Sequence, residues 1–377
     1  MLQSTDVPDE AGRQSESQYT LKEIFQQPLL WPTTLLRVRA AAERLNLSVQ
    51  LRGARALLTG AGSSAYAASA VASAWPRAVA VPTTDLLVDT ERYLTDVDAV
   101  ISLARSGNSP ESSSVVKRVR ALRPEILQLA ITCSQESALS QSGVDGLITL
   151  DPRTNDRSLV MTSSFSNLVL AGLILANPEG LASTIDLASE RARDLLPVID
   201  KQCGRVAAGV RDRIVVLASS PLLGWLREAG LKTLETTNGC FPVISETFLG
   251  LRHGPISFVK ADTLVLCLLS SDPLRRLYEV DLIRELRLKE LGYLVGIADL
   301  GEESDLFDEI IPAVLPNAPD ALRTPYEIIA PQLLGYHLGL SKGINPDNPS
   351  PDGVMNRVVQ GFKIHLAPFG GRAAMKL

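Results

Sequence analysis

The sequence contains few of the residues from which metal centres and disulfide frameworks are built. Only three histidines and four cysteines occur among its 377 residues, and aromatic residues make up 5% of the chain. The cysteines lie far apart, and no Cys/His group has the spacing of a metal site. We therefore expect no metal and no disulfide, and we predict buried, reduced thiols at Cys133, Cys203, Cys240 and Cys267.

Positive charge and long apolar runs are also scarce. The formal net charge is -5, with basic and acidic residues interleaved, so no basic face can neutralise a nucleic-acid backbone. The first twenty residues are polar and acidic, unlike a signal peptide, and stretches such as NLVLAGLILA are too short to span a bilayer. These absences argue against nucleic-acid and membrane partners and predict a cytoplasmic protein.

Hydrophobic residues are plentiful, at 45% of the chain, and they follow a regular rhythm. Short runs rich in Val, Ile and Leu alternate with helical stretches, which is typical of parallel strands joined by crossover helices. AYAASAVASAWPRAVA is one of the stretches predicted to be helical. The predicted strands are ARALLTG, DAVISLA, ILQLAIT and GLITLD and, after a helical connector at about 181–211, DRIVVLASS, FPVISE, DTLVLCLLSS, YLVGIAD and FDEIIPAV.

The rhythm occurs twice, and a chain of this length exceeds the usual size of one core, so we predict two similar α/β domains. The tail is rich in Pro and Gly and is expected to pack near the active site. The predicted divisions are a disordered lead at 1–20, a first domain with its N-terminal helix at 21–200, a second domain at 201–345 and a tail at 346–377.

Three loops rich in serine follow predicted strands of the first half: GAGSS (60–64), ARSGNSPES (104–112) and TCSQES (132–137). Ligands of parallel sheets bind beyond the carboxyl ends of the strands, where helix N-termini attract anions. Each serine alone is more simply explained as a helix cap, but three such loops on one rim favour a phosphate site. The first loop lacks the P-loop lysine and the GxGxxG pattern, which favours a small phosphorylated metabolite over a nucleotide.

LTGAGSSAYAAS and ISLARSGNSPESS resemble the sugar isomerase (SIS) domain of the isomerase half of glucosamine-6-phosphate synthase. ARSGNSPES, TNDRSLVMTSSFSNLVLAGLIL, LGLRHGPISFV, LSSDPLRRLYEVDLIREL and NPDNPSPDGVMNRVVQG together resemble the family of galactosamine-6-phosphate deaminases and tagatose-6-phosphate ketose/aldose isomerases. The resemblance extends over roughly residues 20 to 365. It implies an α/β protein with two flavodoxin-like SIS domains, each a mostly parallel sheet between helices, and at least a homodimer.

The resemblance also implies the residues of the site. Glu235 in GLKTLETTNG matches a glutamate that moves a proton between adjacent sugar carbons, and a carboxylate is a usual base for that step. His253 in LRHGP matches a ring-opening histidine that a partner subunit commonly supplies. Its alternatives, His337 and His365, are expected to be a packed helix residue and a surface residue. The residues assigned to phosphate and sugar are Ser63, Ser64, Arg105, Ser106, Gly107, Ser109, Thr162 and Ser163.

The sequence departs from the synthase pattern in two regions. The second loop has Ala104 and Arg105 where the synthase has Ser and Gln, although ARSGNS is the deaminase family's own form. Arg105 is thus expected to be either a phosphate ligand or a partner in a structural ion pair. The synthase tail carries a lysine implicated in ring opening, and its counterpart is left open among Lys342, Arg357 and Lys363.

These implications predict a deaminating isomerase that converts a hexosamine 6-phosphate, most simply galactosamine 6-phosphate, into tagatose 6-phosphate and ammonia without a cofactor. One alternative is a plain aldose/ketose 6-phosphate isomerase or a sugar-phosphate deglycase. Another is a non-catalytic phosphosugar sensor. No motif distinguishes the galacto from the gluco configuration or a dimer from a tetramer.

Overall fold

The computed structural model describes residues 19–209, 212–299, 301, 303–359, 361 and 363–365. In this part of the chain, ten strands form two sheets of five. The first sheet contains β1 (Ala56–Gly60), β2 (Ala78–Pro82), β3 (Ala99–Ala104), β4 (Leu127–Thr132) and β5 (Gly146–Thr149). The second contains β6 (Arg213–Leu217), β7 (Val243–Glu246), β8 (Thr263–Leu268), β9 (Tyr293–Ala298) and β10 (Glu309–Pro312).

The two sheets have the same topology. Their strand orders are β2-β1-β3-β4-β5 and β10-β9-β8-β6-β7, and all of these neighbours pair in parallel. This is the flavodoxin-like order, and it reverses between β1 and β3 in the first sheet and between β6 and β8 in the second. At each reversal the loops diverge and leave a crevice beyond the strand ends, where ligands of such sheets bind.

Helices lie between the strands in sequence and surround both sheets. The described helices are α1 (Tyr19–Phe25), α2 (Gln27–Arg44), α3 (Leu47–Gln50), α4 (Ser63–Ala74), α5 (Thr83–Val88), α6 (Thr90–Tyr93), α7 (Pro110–Leu122), α8 (Ser163–Ala176), α9 (Ala182–Ala208), α10 (Leu223–Thr236), α11 (Phe248–Leu251), α12 (Pro273–Leu288), α13 (Asp320–Glu327) and α14 (Ile329–Ser341). Short three-ten turns occur at Pro152–Thr154, Pro255–Phe258 and Ser304–Leu306. Among the described helices, none is long and apolar enough to cross a membrane.

Every predicted strand is present, but the sequence interpretation missed β2. The prediction that AYAASAVASAWPRAVA is helical throughout is wrong, because α4 ends at Ala74 and β2 begins at Ala78. Pro76 cannot continue the helical hydrogen-bond pattern, and Arg77 turns the chain with a φ of 69°. The alanine-rich composition of the stretch concealed this boundary.

The N-terminal region forms two helices rather than one, with the division at Gln26. Pro28 lies in the first turn of α2, where a missing N–H breaks no helical bond. Tyr19 and Thr20 already belong to α1, and the rest of the predicted lead, 1–18, lies outside the described residues. The proposed domain limits stay a prediction.

The four thiols are free, but the prediction that all are buried is wrong for one. Cys133, Cys203 and Cys267 are buried, whereas Cys240 is exposed. Cys240 follows the end of α10 in a turn that begins with Asn238 at a φ of 46°. The thiol therefore lies in a surface turn between α10 and β7.

Helix α10 packs closely between α4 and α14. A Cβ on Gly224 would lie 2.7 Å from the Cβ of Ala70 in α4, so only glycine allows these helices to approach this closely. On the other side, a Cβ on Gly339 of α14 would lie 2.5 Å from the carbonyl oxygen of Thr236. The first contact lies at the start of α10, and the second lies at its last turn, which carries Glu235.

Candidate active site

The first candidate loop joins β1 to α4 beside the crevice of the first sheet. Gly62 is the N-cap residue of α4, with a φ of 56°, and no side chain among the described residues caps this helix. Ser63 and Ser64 form its first turn and are each 4% exposed. A Cβ on Gly60 would lie 2.5 Å from the main chain of Ser64, so the turn requires glycine there. The loop therefore brings two hydroxyls and uncapped N–H groups to the positive end of a helix.

The second loop joins β3 to α7 on the other side of the crevice. Ser109 occupies the N-cap position of α7, but its hydroxyl forms no capping hydrogen bond. Gly107 has a φ of 68°, a conformation that favours glycine. The N–H of Asn108 donates to the hydroxyl of Ser106 at 3.3 Å, which tightens the turn. Helix capping thus does not explain the serine at the start of α7.

The third loop supports the second loop instead of offering hydroxyls of its own. Ser134 donates its hydroxyl to the carbonyl oxygen of Glu136 at 2.9 Å, and the hydroxyl of Ser137 accepts the N–H of Ser140 at 3.1 Å. A Cβ on Gly107 would lie 2.6 Å from the Ser137 hydroxyl, so the two loops are in close contact. We therefore restrict the phosphate site to the first two loops.

Glu235 lies in the last turn of α10, and a buried lysine connects it to the first loop. Lys232 pairs with the Glu235 carboxylate and donates from Nζ to the hydroxyl of Ser63 at 3.3 Å. Lys232 is fully buried, whereas the side chain of Glu235 is 21% exposed. The predicted base of the second half thus lies beside the serine loop of the first half, with its carboxylate still accessible.

A second carboxylate that sequence reasoning missed completes this cluster. Glu228 is fully buried, and its Oε1 lies 3.3 Å from Nζ of Lys232. Burial raises the pKa of Glu228 to about 7, and Lys232 opposes that shift. Burial alone would lower the pKa of Lys232, but Glu228 and Glu235 raise it, so the lysine stays an ammonium ion. The sequence did contain a signal for this cluster, because the spacing of Glu228, Lys232 and Glu235 places all three on one face of a helix.

The loop that precedes α8 contains the two residues assigned to the sugar. The carboxylate of Asp156 accepts the N–H groups of Thr162, Ser163 and Ser164 at 2.8, 3.2 and 2.9 Å and also pairs with the hydroxyl of Ser163. Ser163 is therefore engaged within the protein. The hydroxyl of Thr162 is buried and has no hydrogen-bond partner among the described residues. Of the two, Thr162 is the better candidate for a sugar contact.

Arg105, assigned to the phosphate, is 7% exposed and donates to main-chain carbonyl groups. Its guanidinium contacts the carbonyl oxygens of Ser158, Leu159 and Arg357 at 3.3, 2.9 and 3.4 Å. Burial and, after it, the charge of Arg357 lower the pKa of Arg105, while other groups including Glu235 oppose this shift. The guanidinium is therefore directed to the backbone.

The structure separates the three cations that were candidates in the C-terminal region. Arg357 contacts the carbonyl oxygen of Ser158 at 3.4 Å and lies beside Arg105. Lys342 lies over the ring of Phe241, with Nζ 4.7 Å from the ring centroid. Lys363 is exposed. Arg357 is thus the tail cation that the described structure brings to the second loop.

The histidines differ in their surroundings. His253 lies in the turn after α11, is exposed, and its ring forms no hydrogen bond or ion pair with a described residue. His337 is half-buried in α14, with Nε2 2.7 Å from Oδ1 of Asp200. His365 is exposed in the tail. The ring of His253 is therefore accessible, but a single copy of the chain does not join it to Glu235.

Comparisons with known proteins agree with this architecture. The chain is 35% identical to the D-galactosamine-6-phosphate deaminase AgaS of Escherichia coli over 368 residues, which cover 92% of this chain and 95% of that protein. It is 34% identical to the protein of the same name from Shewanella sp. strain ANA-3 over 370 residues, which cover 92% of each. No protein-family model matches the chain.

Solved structures give the same result. A crystal structure of tagatose-6-phosphate ketose/aldose isomerase from Escherichia coli superimposes with a TM-score of 0.84 at 30% identity, covering 97% of this chain and all of the other. The C-terminal domain of glucosamine-fructose-6-phosphate aminotransferase from Francisella tularensis shares the fold, with a TM-score of 0.70 at 18% identity. The predicted pair of SIS-type α/β sheets is confirmed, and the chain belongs to the AgaS family of D-galactosamine-6-phosphate deaminases.

Proposed function

We propose that this protein is a deaminating isomerase that converts D-galactosamine 6-phosphate into D-tagatose 6-phosphate and ammonia. The observation that carries the proposal is the contact of Lys232 with Glu235 on one side and with the Ser63 hydroxyl, at 3.3 Å, on the other. This contact joins the carboxylate proposed as the base to the serine-rich loop proposed to bind the anion. The names of the relatives supply the substrate, since they are deaminases and a ketose/aldose isomerase of these sugar phosphates.

The phosphate group is proposed to bind in the crevice of the first sheet. Uncapped N–H groups at the starts of α4 and α7 and the adjacent hydroxyls suit the three oxygens of a phosphate monoester. The sugar would then extend toward Thr162 and Glu235. The proposed phosphate ligands are Ser63, Ser64, Ser106, Ser109 and the main chain of Gly107.

Glu235 is the proposed base. In the open-chain sugar it takes the proton from C2 and returns it to C1 through an enolamine. A second proton passes from the amine nitrogen to the C1 oxygen, which leaves a hydroxyl at C1 and an imine at C2. Water then adds to the imine carbon, and the amine leaves as ammonia with formation of the ketone. Lys232 holds the carboxylate in place, and its buried positive charge favours the negative charge that develops at the C1 oxygen.

His253 is the proposed ring-opening residue, and its position favours a site that is shared in a homodimer. The histidine is exposed, and the neighbouring Arg252 pairs with Glu285 of α12 at 2.9 Å. Helix α12 exposes apolar side chains beside it, including Leu277 at 63% and Leu288 at 86%. An exposed apolar face of this kind marks an interaction surface, and a second copy of the chain would bring another His253 to the site.

A mixing experiment tests this arrangement. Glu235→Gln and His253→Ala are each expected to be inactive, but hybrids of the two retain one site with both intact residues if the histidine comes from the second copy. Activity should therefore return on mixing. If the chains pair at random, about half of the dimers are hybrids with one intact site of two, so the activity per chain should be about a quarter of the wild-type level. A mixture that stays inactive, although mass analysis shows hybrid dimers, would contradict a shared site.

Ammonia release from purified protein tests the reaction itself. D-galactosamine 6-phosphate should yield ammonia and tagatose 6-phosphate in equal amounts, with D-glucosamine 6-phosphate as the configurational control. Interconversion of sugar phosphates without ammonia would support a plain isomerase, and ammonia from a sugar-phosphate adduct alone would support a deglycase. Binding without any turnover would support a sensor. The cytoplasmic location stays a prediction.

A further inference from the structure

Ser158, in the segment between β5 and α8, contacts three other parts of the chain. Its N–H and hydroxyl both contact the Glu23 carboxylate of α1. Its carbonyl oxygen accepts hydrogen bonds from Arg105 at 3.3 Å and from Arg357 at 3.4 Å. A single buried residue therefore anchors the N-terminal helix, the second serine loop and the C-terminal tail.

Further bonds make this connection rigid. Arg357 also donates to the side-chain oxygen of Asn155 at 2.7 Å, while its own carbonyl oxygen accepts from Arg105 at 3.4 Å. Upstream in the tail, the carbonyl oxygen of Asp347 accepts the N–H of Leu159 at 3.0 Å. The tail is thus attached to the segment 155–159 at two points about ten residues apart.

The guanidinium of Arg105 links the second loop to two other segments of the chain. A guanidinium offers five N–H groups in a planar fork, and Arg105 uses this fork to reach three carbonyl oxygens that lie on two different segments. Its main chain lies in the second loop, directly before Ser106, and its carbonyl oxygen accepts the N–H of Cys133 at 3.2 Å. The position of the Ser106 hydroxyl therefore depends on where the tail and the 155–159 segment lie.

We propose that Arg105 and Arg357 are positioning residues, which act together through the Ser158 carbonyl to set the phosphate loop from the C-terminal tail. This inference rests on the proposed function, since it assumes that the second loop binds phosphate. It replaces the assignment of Arg105 as a phosphate ligand. The tail cation holds the loop and has no part in the proton transfer at Glu235.

The test compares Arg357→Ala with Lys363→Ala, which removes another tail cation that is exposed. Arg357→Ala should raise both the KM for D-galactosamine 6-phosphate and the inhibition constant of inorganic phosphate about tenfold, because a displaced loop binds phosphate poorly. The kcat should stay within about twofold of wild type. Lys363→Ala should change none of these. A fall in kcat at unchanged KM would overturn the proposal.

Two further variants separate positioning from direct phosphate contact. Arg105→Lys keeps the charge but loses the fork, so it should bind phosphate as poorly as Arg105→Ala. Recovery of phosphate affinity in Arg105→Lys would show direct contact and overturn the proposal. The double variant Arg105→Ala/Arg357→Ala should be no weaker than Arg105→Ala, whereas fully additive effects would contradict a joint action.

Calorimetry can measure the binding of inorganic phosphate without any turnover, which keeps this test separate from the proposed reaction. If no hexosamine 6-phosphate releases ammonia but Arg357→Ala still weakens phosphate binding about tenfold, the positioning proposal stands and the deaminase proposal fails. If ammonia is released normally and phosphate affinity is the same in wild type and Arg357→Ala, the positioning proposal alone fails.

Discussion

The two sheets have the same strand order, and serine-rich loops flank the crevice in both, yet the crevices differ in what their hydroxyls contact. In the second sheet, the hydroxyl of Ser219 donates to Glu279 at 2.5 Å, and the N–H of Ser270 donates to the same carboxylate at 2.7 Å. Asp320 accepts the hydroxyl of Ser270 and both the N–H and the hydroxyl of Ser271. Two internal carboxylates therefore occupy the positions that an anionic ligand would take.

In the first sheet, the corresponding hydroxyls of Ser64 and Ser109 form no hydrogen bond with a described residue. The acidic residues near this crevice, Glu228 and Glu235, both pair with Lys232. A serine-rich rim therefore does not by itself make a ligand site. The loops bind either an external anion or a carboxylate of the protein itself, and the side chains that the fold places against the rim decide which.

The largest expected difference between the crevices comes from Glu→Gln substitutions. Glu235→Gln removes the base and should lower kcat about 10³-fold with little change in KM. Glu279→Gln, the matched change in the second crevice, should leave kcat unaltered and act on stability alone. Steady-state ammonia release measures both. A similar loss of kcat in the two variants would mean that the crevices do not have the separate roles assigned to them.

The next effect concerns stability in the second crevice. Asp320 is buried and also pairs with Arg323 at 3.0 Å, so Asp320→Asn leaves a buried guanidinium without this partner. The free energy of unfolding should fall by about 3 kcal/mol, measured in urea, while the KM stays unchanged. An increase in KM without loss of stability would place Asp320 at a ligand site.

Single hydroxyls of the first crevice should have a smaller effect, on binding. Ser109→Ala removes one proposed hydrogen bond to a charged phosphate, worth about 1.5–3 kcal/mol, and should raise the KM at least about tenfold. Ser271→Ala in the second crevice is the control and should not alter the KM. Equal values of KM in wild type and Ser109→Ala would count against the phosphate site.

The smallest effect is a pH dependence of stability that arises beside the first crevice. Burial, followed by the charge of Asp156, raises the pKa of Glu23 from 4.5 to about 7. The stability contributed by Glu23 is therefore fully present below about pH 4.5 and is lost as the pH rises to about 7. Over this window, wild type should lose about 2 kcal/mol more unfolding free energy than Glu23→Gln.

Urea unfolding at pH 4.5 and pH 7.5 or so measures this difference. Glu43→Gln, at an exposed position of α2, is the matched control and should follow the wild-type profile. Parallel profiles for wild type and Glu23→Gln would show that Glu23 ionises alike in the folded and unfolded chains.

The sequence predicted most of the fold because buried parallel strands are continuous apolar runs, such as TLVLCL in β8. It missed β2, where alanine and proline replace the usual Val, Ile and Leu signal at the edge of the sheet. The two serine loops were found from their position after strands. The internal contacts of the third loop could not be predicted, since composition does not show that Ser137 is used inside the loop.

The remaining features of the site depend on long-range contacts that no local pattern records. Glu228 and Lys232 have a spacing that occurs on many exposed helices, and only the packing of α10 against other helices, α4 and α14 among them, buries them. The carbonyl groups that direct Arg105 away from solvent belong to residues 53 positions or more along the chain. Likewise, the distant Asp320 reaches Ser270 only because the chain folds back.

The most direct test of the account is a crystal structure of Glu235→Gln with D-galactosamine 6-phosphate bound. The phosphate group should lie between the loops that carry Ser64 and Ser109, with C1 and C2 of the sugar beside the Gln side chain. A phosphate bound at the Ser219 and Ser270 loops of the second sheet, or a sugar that extends away from α10, would contradict it.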